Sequence, residues 1–337
     1  MTPTFSVILA TRDRPVLFGE ALESVMAQDY PSFEIIVVND GTSETHVEAY
    51  QALWDRGAQH LGDRFSVHHL VRRPRGHGQS YSLNFGVSRA TGEFVCFLDD
   101  DDKWIDPGHL SRAARSLAAM SDAGTPADLY MANQEAWTSG GQVPGPVWLE
   151  GLAGELKGRG RLPGDDGTFE VTVADLMATR GFCHLNCFTV RRTLWEQVGG
   201  MDEGIRWECD RDVYLRLVDQ SGAMLHHPAV MSFHRVPDPG KAANMTTTLG
   251  MIEKRLLQTR VLDKAALFSK HRLIRDHARR HKAFALKKIA EVLAEKQDWT
   301  NARYYAAQAL GAAPGVKWLM FSAYCLVRSF SHREGGD

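Results

Sequence analysis

Gly92-Glu93-Phe94-Val95-Cys96-Phe97-Leu98-Asp99-Asp100-Asp101-Asp102 brings four consecutive carboxylates to the end of a short apolar run. Residues 94–98 are bounded by a Thr-Gly pair and by acids. The run is too short for a helix and reads as a buried central strand. The acids then sit at the carboxyl end of that strand, where open α/β sheets bind their ligands. Adjacent like charges raise one another's pKa, and a divalent cation relieves the conflict. Hard oxygen ligands suit Mg2+ or Mn2+. Mg2+ takes one or two protein carboxylates and fills its shell with water and substrate phosphates. An isolated acidic run would read as a solvated loop or a helix N-cap. The apolar strand feeding into this one, and Trp104 after it, favour a site. The alternating ligands and central glycine of an EF-hand are missing.

Outward from this stretch, residues 5–10 read as a strand, followed by the turn Thr11-Arg12-Asp13-Arg14 and by Pro15, which suits a first helical turn. Leu17, Ala21 and Val25 recur at helical spacing. Residues 34–38 form a second strand ending in Asn39-Asp40-Gly41, with a helix from about Thr45. Residues 65–71 supply a third strand, and residues 83–90 a helix leading into the acidic strand. The alternation predicts an α/β fold with a mostly parallel sheet and right-handed crossovers. Further on come a helix through Met120, a strand at 128–132, and a strand at 229–233 ending in His234-Arg235. Residues 139–166, rich in Gly and Pro, read as one long loop of the kind that carries function.

With 337 residues, two domains are expected, at 1–245 and 250–332. After Leu249 the pattern turns helical. Leu286, Ile289, Ala290 and Leu293 form one stripe; Ala302, Tyr305, Ala306, Ala309 and Leu310 form another, with Asp298 between them. This predicts a C-terminal helical extension containing a hairpin. The net charge of −2 divides unevenly: from Gly250 onward there are 17 Lys and Arg against 8 Asp and Glu, leaving 22 against 33 before it. The basic helices suit a peripheral contact with an anionic membrane surface, or a homo-oligomer; nucleic acid is not an expected partner. Five Cys without a Cys-x-x-Cys pair suggest free thiols in a reducing compartment. Without a basic segment leading into a long apolar stretch, the expected location is cytoplasmic, at most peripheral at the inner face of the membrane.

Taken together, residues 6–15, Ile36-Val37-Val38-Asn39-Asp40-Gly41, Asn84-Phe85-Gly86 and residues 92–102 resemble the opening motifs of family 2 glycosyltransferases, which adopt the Rossmann-like GT-A fold. The resemblance extends over roughly residues 4–240. It implies a nucleotide-sugar donor, with Thr11, Arg12 and Asp40 around the base. An aspartate there can accept from the imide N–H of uracil, so a UDP-sugar is the first choice. The basic loop of Arg72, Arg73 and Arg75 before Gly76-His77-Gly78 would approach the diphosphate or the base, with Arg73 put forward. Asp99 and Asp101 match the family's Asp-x-Asp pair. The first would face ribose or sugar and the second would hold Mn2+ or Mg2+, with Asp100 and Asp102 as supporting or alternative ligands; four acids in a row leave the register open, and Asp101 ranks first for the metal. His234 would complete the metal shell or bind phosphate.

The later motifs, residues 181–192, Gly199-Gly200-Met201-Asp202-Glu203 and residues 207–217, also resemble the family. It usually shows Glu-Asp where this chain has Cys209-Asp210, with Glu208 displaced by one. It often carries Ala-Arg-Asn where this chain has Ser82-Leu83-Asn84. The resemblance implies inverting transfer to a hydroxyl acceptor in a glycan, a lipid-linked sugar or another molecule. Such a transfer needs a carboxylate to take the acceptor's proton, and Asp210 is the expected base. Two alternatives stand beside this one. A sugar-phosphate nucleotidyltransferase would want a Gly-rich basic loop after the first strand. A non-catalytic carbohydrate-binding or scaffold protein would keep the fold without the acids.

Overall fold

The computed structural model describes residues 2–143, 148–236 and 249–331. They fall into two compact units. The first holds the described residues up to Gly204 with those from Val213 to 236; the second holds Ile205–Asp212 with those from 249 onward. The domain limits expected at 245 and 332 lie outside the described residues.

In the first unit the expected alternation is present as β1 (Phe5–Thr11), α1 (Pro15–Met26), β2 (Phe33–Asn39), α2 (Val47–Leu61), β3 (Phe65–His69), α3 (Gln79–Val87) and β4 (Phe94–Asp99). After these come β5 (Lys103–Trp104), α4 (His109–Asp122), β6 (Ala127–Thr138), β7 (Gly141–Gln142), α5 (Leu152–Gly158), β8 (Phe169–Val171), α6 (Val173–Ala178), β9 (Phe188–Arg191) and α7 (Arg192–Gln197). Then α8 (Cys209–Gln220), which belongs to this unit from Val213 onward, leads to β10 (Ala223–Arg235). The sheet runs β3-β2-β1-β4-β9-β6-β10-β5, with β7 beside β6 and β8 beside β10. Its first four strands are mutually parallel, whereas β9 is antiparallel to both β4 and β6.

The apolar run decides the centre. Phe94, Val95, Cys96, Phe97 and Leu98 are all buried, as a strand covered on both faces requires. Register then sets the site. Ala10 pairs with Asp99 across β1 and β4, Thr11 with Asn39 across β1 and β2, and Asn39 with His69 across β2 and β3. The carboxyl ends of β1, β2 and β4 therefore share one edge, and the residues that follow them meet there.

Close approach of α3 to the sheet depends on Gly86. A Cβ at that position would stand 2.4 Å from Cγ2 of Ile8 and 3.3 Å from Cγ2 of Val38. Both are β-branched side chains held in the core, so neither yields easily. Gly86→Val is expected to cost about 1–3 kcal/mol by overpacking, read as a lower urea midpoint at unchanged m-value. One residue pair before it, Asn84 pins a distant turn. Its amide donates to the Met201 carbonyl at 2.9 Å and accepts from the Met201 N–H at 2.8 Å. Two segments separated in the chain by more than a hundred residues are thereby joined.

The stretch expected to be one long loop, 139–166, contains structure among its described residues. β7 folds back on β6, and α5 buries Leu152, Ala153 and Leu156, with Leu149 buried ahead of it. The helical spacing of Leu149, Leu152, Ala153 and Leu156 was hidden by four neighbouring glycines.

The second unit adds α9 (Met251–Phe268), α10 (Arg272–Glu295), α11 (Trp299–Ala312) and α12 (Val316–Ser331). The two predicted stripes meet. Leu286 and Ala290 pack with Ala306, Ala309 and Trp318, and Ile289 and Leu293 with Ala302 and Cys325. Asp298 caps α11 by accepting from the Asn301 N–H at 3.2 Å. The expected hairpin is thus a three-helix layer, closed by α12. Among the described residues no helix is long and apolar enough to cross a membrane.

Candidate functional site

At the shared edge the four acids after Leu98 take four different sets of partners. Asp99 ends β4; its Oδ1 accepts from Gln79 Nε2 at 2.6 Å, and its backbone N–H donates to Asn186 Oδ1 at 3.0 Å. Burial first, and then the charges of Asp102 and Asp101, push its carboxyl well above the usual range, with His234 opposing. Asp100 is buried. It accepts from the Thr11 hydroxyl at 2.8 Å and from the Arg14 guanidinium. Burial raises its pKa to about 6 despite the Arg14 charge. Asp101 is the more open, its side chain 23 % exposed, and accepts from Arg14 Nη1 at 2.8 Å.

Asp102 is wholly enclosed. Its Oδ2 accepts from Asn186 Nδ2 at 2.6 Å and lies 2.7 Å from His234 Nδ1, while Oδ1 accepts from the Arg235 N–H at 2.7 Å. Burial works against this carboxylate, but the His234 hydrogen bond and charge prevail and hold its pKa low. The same pair raises His234, again against the effect of burial. The His234 ring also lies against His184 and Trp148, with centroids 4.9 and 5.2 Å away.

Thr11 is brought to the acids. Besides Asp100, its hydroxyl lies 2.6 Å from the Tyr50 hydroxyl, which accepts from the Arg14 N–H at 3.1 Å. Asp40, after β2, is engaged by His77 and Gly78 at the end of the basic loop. Its carboxylate accepts from the His77 N–H at 2.9 Å and the Gly78 N–H at 3.1 Å, and lies 2.6 Å from His77 Nδ1. Gly76 has φ +67°, and a Cβ there would stand 2.4 Å from Asp40 Oδ2 and 2.5 Å from Arg12 Nη1. Only glycine combines that backbone with that approach. Arg12 and Arg73 meet, but through the Arg73 carbonyl, which accepts from Arg12 Nη2 at 2.8 Å. The Arg73 residue itself is exposed.

Asp210 belongs to the other compact unit, in the first turn of α8, where its Oδ1 accepts from the Arg211 N–H at 2.9 Å. The acids beside it are tied to α9. Glu208, at φ 57°, accepts from Gln258 Nε2 at 2.7 Å, and buried Asp212 pairs with Lys264 Nζ at 3.1 Å. Burial pushes the Glu208 carboxyl up, against the Arg211 charge.

Arg14, Gln79, Asn186 and Tyr50 were not among the expected site residues. Asn186 left a trace: with His184 and Thr189 it is one of three polar residues in the otherwise apolar stretch 182–190. For Arg14 the signal was a second cation just ahead of Pro15, and so at the start of a helix. Among the described residues, no three His, Cys, Asp or Glu side chains are grouped so as to hold a metal ion.

Residues 6–142 match the family model described as glycosyl transferase family 2. A β-1,3-glucosyltransferase of Campylobacter jejuni, named for a GalNAc(5)-diNAcBac-PP-undecaprenol acceptor, is 37 % identical over 109 residues, 32 % of this chain and 33 % of that protein. The O-antigen biosynthesis protein RfbC of Myxococcus xanthus is 28 % identical over 221 residues, 64 % of this chain and 16 % of RfbC. The chain thus spans a third or less of the length of these two relatives. Among solved structures, S. aureus TarS 1–349 in complex with UDP-GlcNAc superposes with a TM-score of 0.64 at 17 % identity, covering 98 % of this chain and 92 % of that one. The mannosyltransferase PcManGT of Pyrobaculum calidifontis, solved with GDP-Man and Mn2+, gives 0.58 at 16 %, covering 100 % and 89 %. Motifs, sheet and acid-bearing edge agree with these likenesses: residues 6–142 are similar to the family 2 glycosyltransferases, and the chain has the GT-A fold.

Proposed function

We propose that the protein is a metal-dependent inverting glycosyltransferase. It would move a sugar from a nucleotide diphosphate, a UDP-sugar first, to a hydroxyl on a glycan or lipid-linked acceptor. The observation that carries this reading is the register that brings Thr11, Asp40 and Asp99 to Asp102 to one sheet edge. The named donors and acceptors of TarS and the Campylobacter enzyme support the substrate classes.

The donor atoms suit a Mg2+ or Mn2+ ion and do not suit a closed cage. Asp101 is the more open carboxylate, while the Nδ1 of His234 faces Asp102, so its other ring nitrogen is the one to offer. Two protein ligands are enough for a cation that completes its shell with water and phosphate. Asp101 and His234 would hold it, and when bound it would supply positive charge against the diphosphate leaving group. Asp99 would face the ribose or sugar, with Asp100 and Arg12 holding the edge in shape. The Asp40 carboxylate would take the base imide N–H alongside, or in exchange for, its loop partners, with Arg73 closing over the diphosphate. Asp210 would accept the proton of the attacking hydroxyl, and the transfer would invert the anomeric centre.

A thermal-shift screen of UDP- and GDP-sugars with Mn2+ tests the donor. A true donor at 100 times its Kd adds about 2.7 kcal/mol of apparent stability. No shift with any nucleotide sugar would overturn the reading. Calorimetry tests the metal: UDP is expected to bind more tightly with Mn2+ than with chelator, and Asp101→Ala is expected to remove most of that gain. Equal affinity in both conditions would dismiss the metal.

A further inference from the structure

The helix that closes the second unit is apolar on both sides. In α12, Trp318 and Cys325 face inward onto α10 and α11, with Phe321 packed beside them. Trp318 also donates from Nε1 to the Ala306 carbonyl at 2.9 Å. This face accounts for the helix's part in the fold. The opposite face carries Val316, Leu319, Met320, Tyr324, Val327 and Phe330, which fall on one stripe at helical periodicity and are all exposed, Val316 at 77 %, Met320 at 68 % and Val327 at 62 %. A surface helix of a globular protein normally turns a polar face to solvent. A continuous exposed apolar stripe of this kind marks an interaction surface.

Charge identifies the partner. The sixteen residues of α12 include no acid; Lys317 and Arg328 lie side by side around the helix axis, at one border of the exposed stripe. Basic side chains of neighbouring helices lie at aromatic residues on both faces of α12, Trp318 on the inner face and Phe330 in the stripe. Lys287 Nζ stands 5.3 Å from the Trp318 ring centroid, and the Arg303 guanidinium 5.9 Å from that of Phe330. From Gly250 onward the chain carries 17 cations against 8 acids. A second copy of the same surface would bring like charges together, whereas an anionic lipid surface complements them. Length agrees: the helix is about 24 Å long, enough to lie in the headgroup plane as interfacial helices do.

We propose that the exposed face of α12 seats the protein on an anionic bilayer, with Met320, Val327 and their neighbours entering the headgroup boundary and Lys317 and Arg328 meeting lipid phosphates. The proposal does not depend on the transfer reaction, since it concerns lipids and no sugar donor.

Flotation of the full chain with vesicles tests it. Phosphatidylcholine mixed with phosphatidylglycerol is expected to bind the protein about tenfold or more tightly than phosphatidylcholine alone, the preference shrinking with salt. The double variant Met320→Glu, Val327→Glu is expected to lose binding by about tenfold or more while keeping its thermal melt, because both side chains point away from Trp318 and Cys325. Should that variant unfold, the milder Met320→Gln, Val327→Thr pair serves the same purpose. Lys317→Glu with Arg328→Glu is expected to abolish the preference for the anionic mixture. The proposal is overturned if the wild-type chain does not float with the mixed vesicles, if either folded apolar pair floats as well as wild type, or if neutral and anionic vesicles bind equally. It is also overturned if light scattering shows a dimer that the same substitutions dissolve.

Discussion

Asp210→Asn is expected to lower turnover by about 10²–10⁴, the usual contribution of a positioned base, while nucleotide and metal binding survive. Asparagine keeps the size of the side chain and most of its hydrogen bonding, including an acceptor for the Arg211 N–H, but it cannot take the proton of the attacking hydroxyl. Its neighbours provide the control. Glu208 is held by Gln258 and Asp212 by Lys264, so Glu208→Gln and Asp212→Asn are expected to lower the melting temperature more than the turnover. Turnover at saturating donor and the thermal melt, measured for all three variants, separate the two roles. Near-normal turnover in Asp210→Asn, or a larger loss in Glu208→Gln, would place the base elsewhere.

Asp102→Ala is expected to cost about 3–5 kcal/mol of stability, the range for removing one member of a buried charged pair. Its carboxylate is wholly enclosed and satisfies Asn186 Nδ2, the Arg235 N–H and His234 together. Alanine would leave the buried Asn186 amide and the Arg235 N–H without that acceptor, each costing about 1–3 kcal/mol. Asp102→Asn keeps one acceptor oxygen and is expected to lose less. Urea denaturation distinguishes them: a midpoint for Asp102→Ala within error of wild type would show that these bonds are not what holds β10 to the acidic turn.

The centre of the fold was legible because burial on both faces leaves a plain mark. An apolar run such as 94–98, closed by acids, has few other uses, and parallel strands joined by helices admit few topologies. The location of the acids followed from the strand. Their division of labour did not follow, since neighbouring aspartates are chemically identical until their partners are known. Asp102 differs from Asp101 because Asn186 and His234 reach it, from 84 and 132 positions away. The role of Gly76-His77-Gly78 was obscured in the same way. Its positive-φ backbone has meaning only once register sets Asp40 beside it. Helix α5 was missed for a different reason, the local glycines outweighing a leucine spacing that only packing made decisive.

Arg14 bears on how the molecule matures. Its guanidinium is shared between Asp100 and Asp101, so the acid cluster carries its own counter-charge within the polypeptide. Small domains organised around an ion stay unfolded until that ion arrives. At this acidic edge Arg14 offsets part of the acid charge from within the chain. Folding is therefore expected to proceed without divalent ions, and protein purified through a chelator column is expected to emerge folded, its circular dichroism unchanged by added Mn2+.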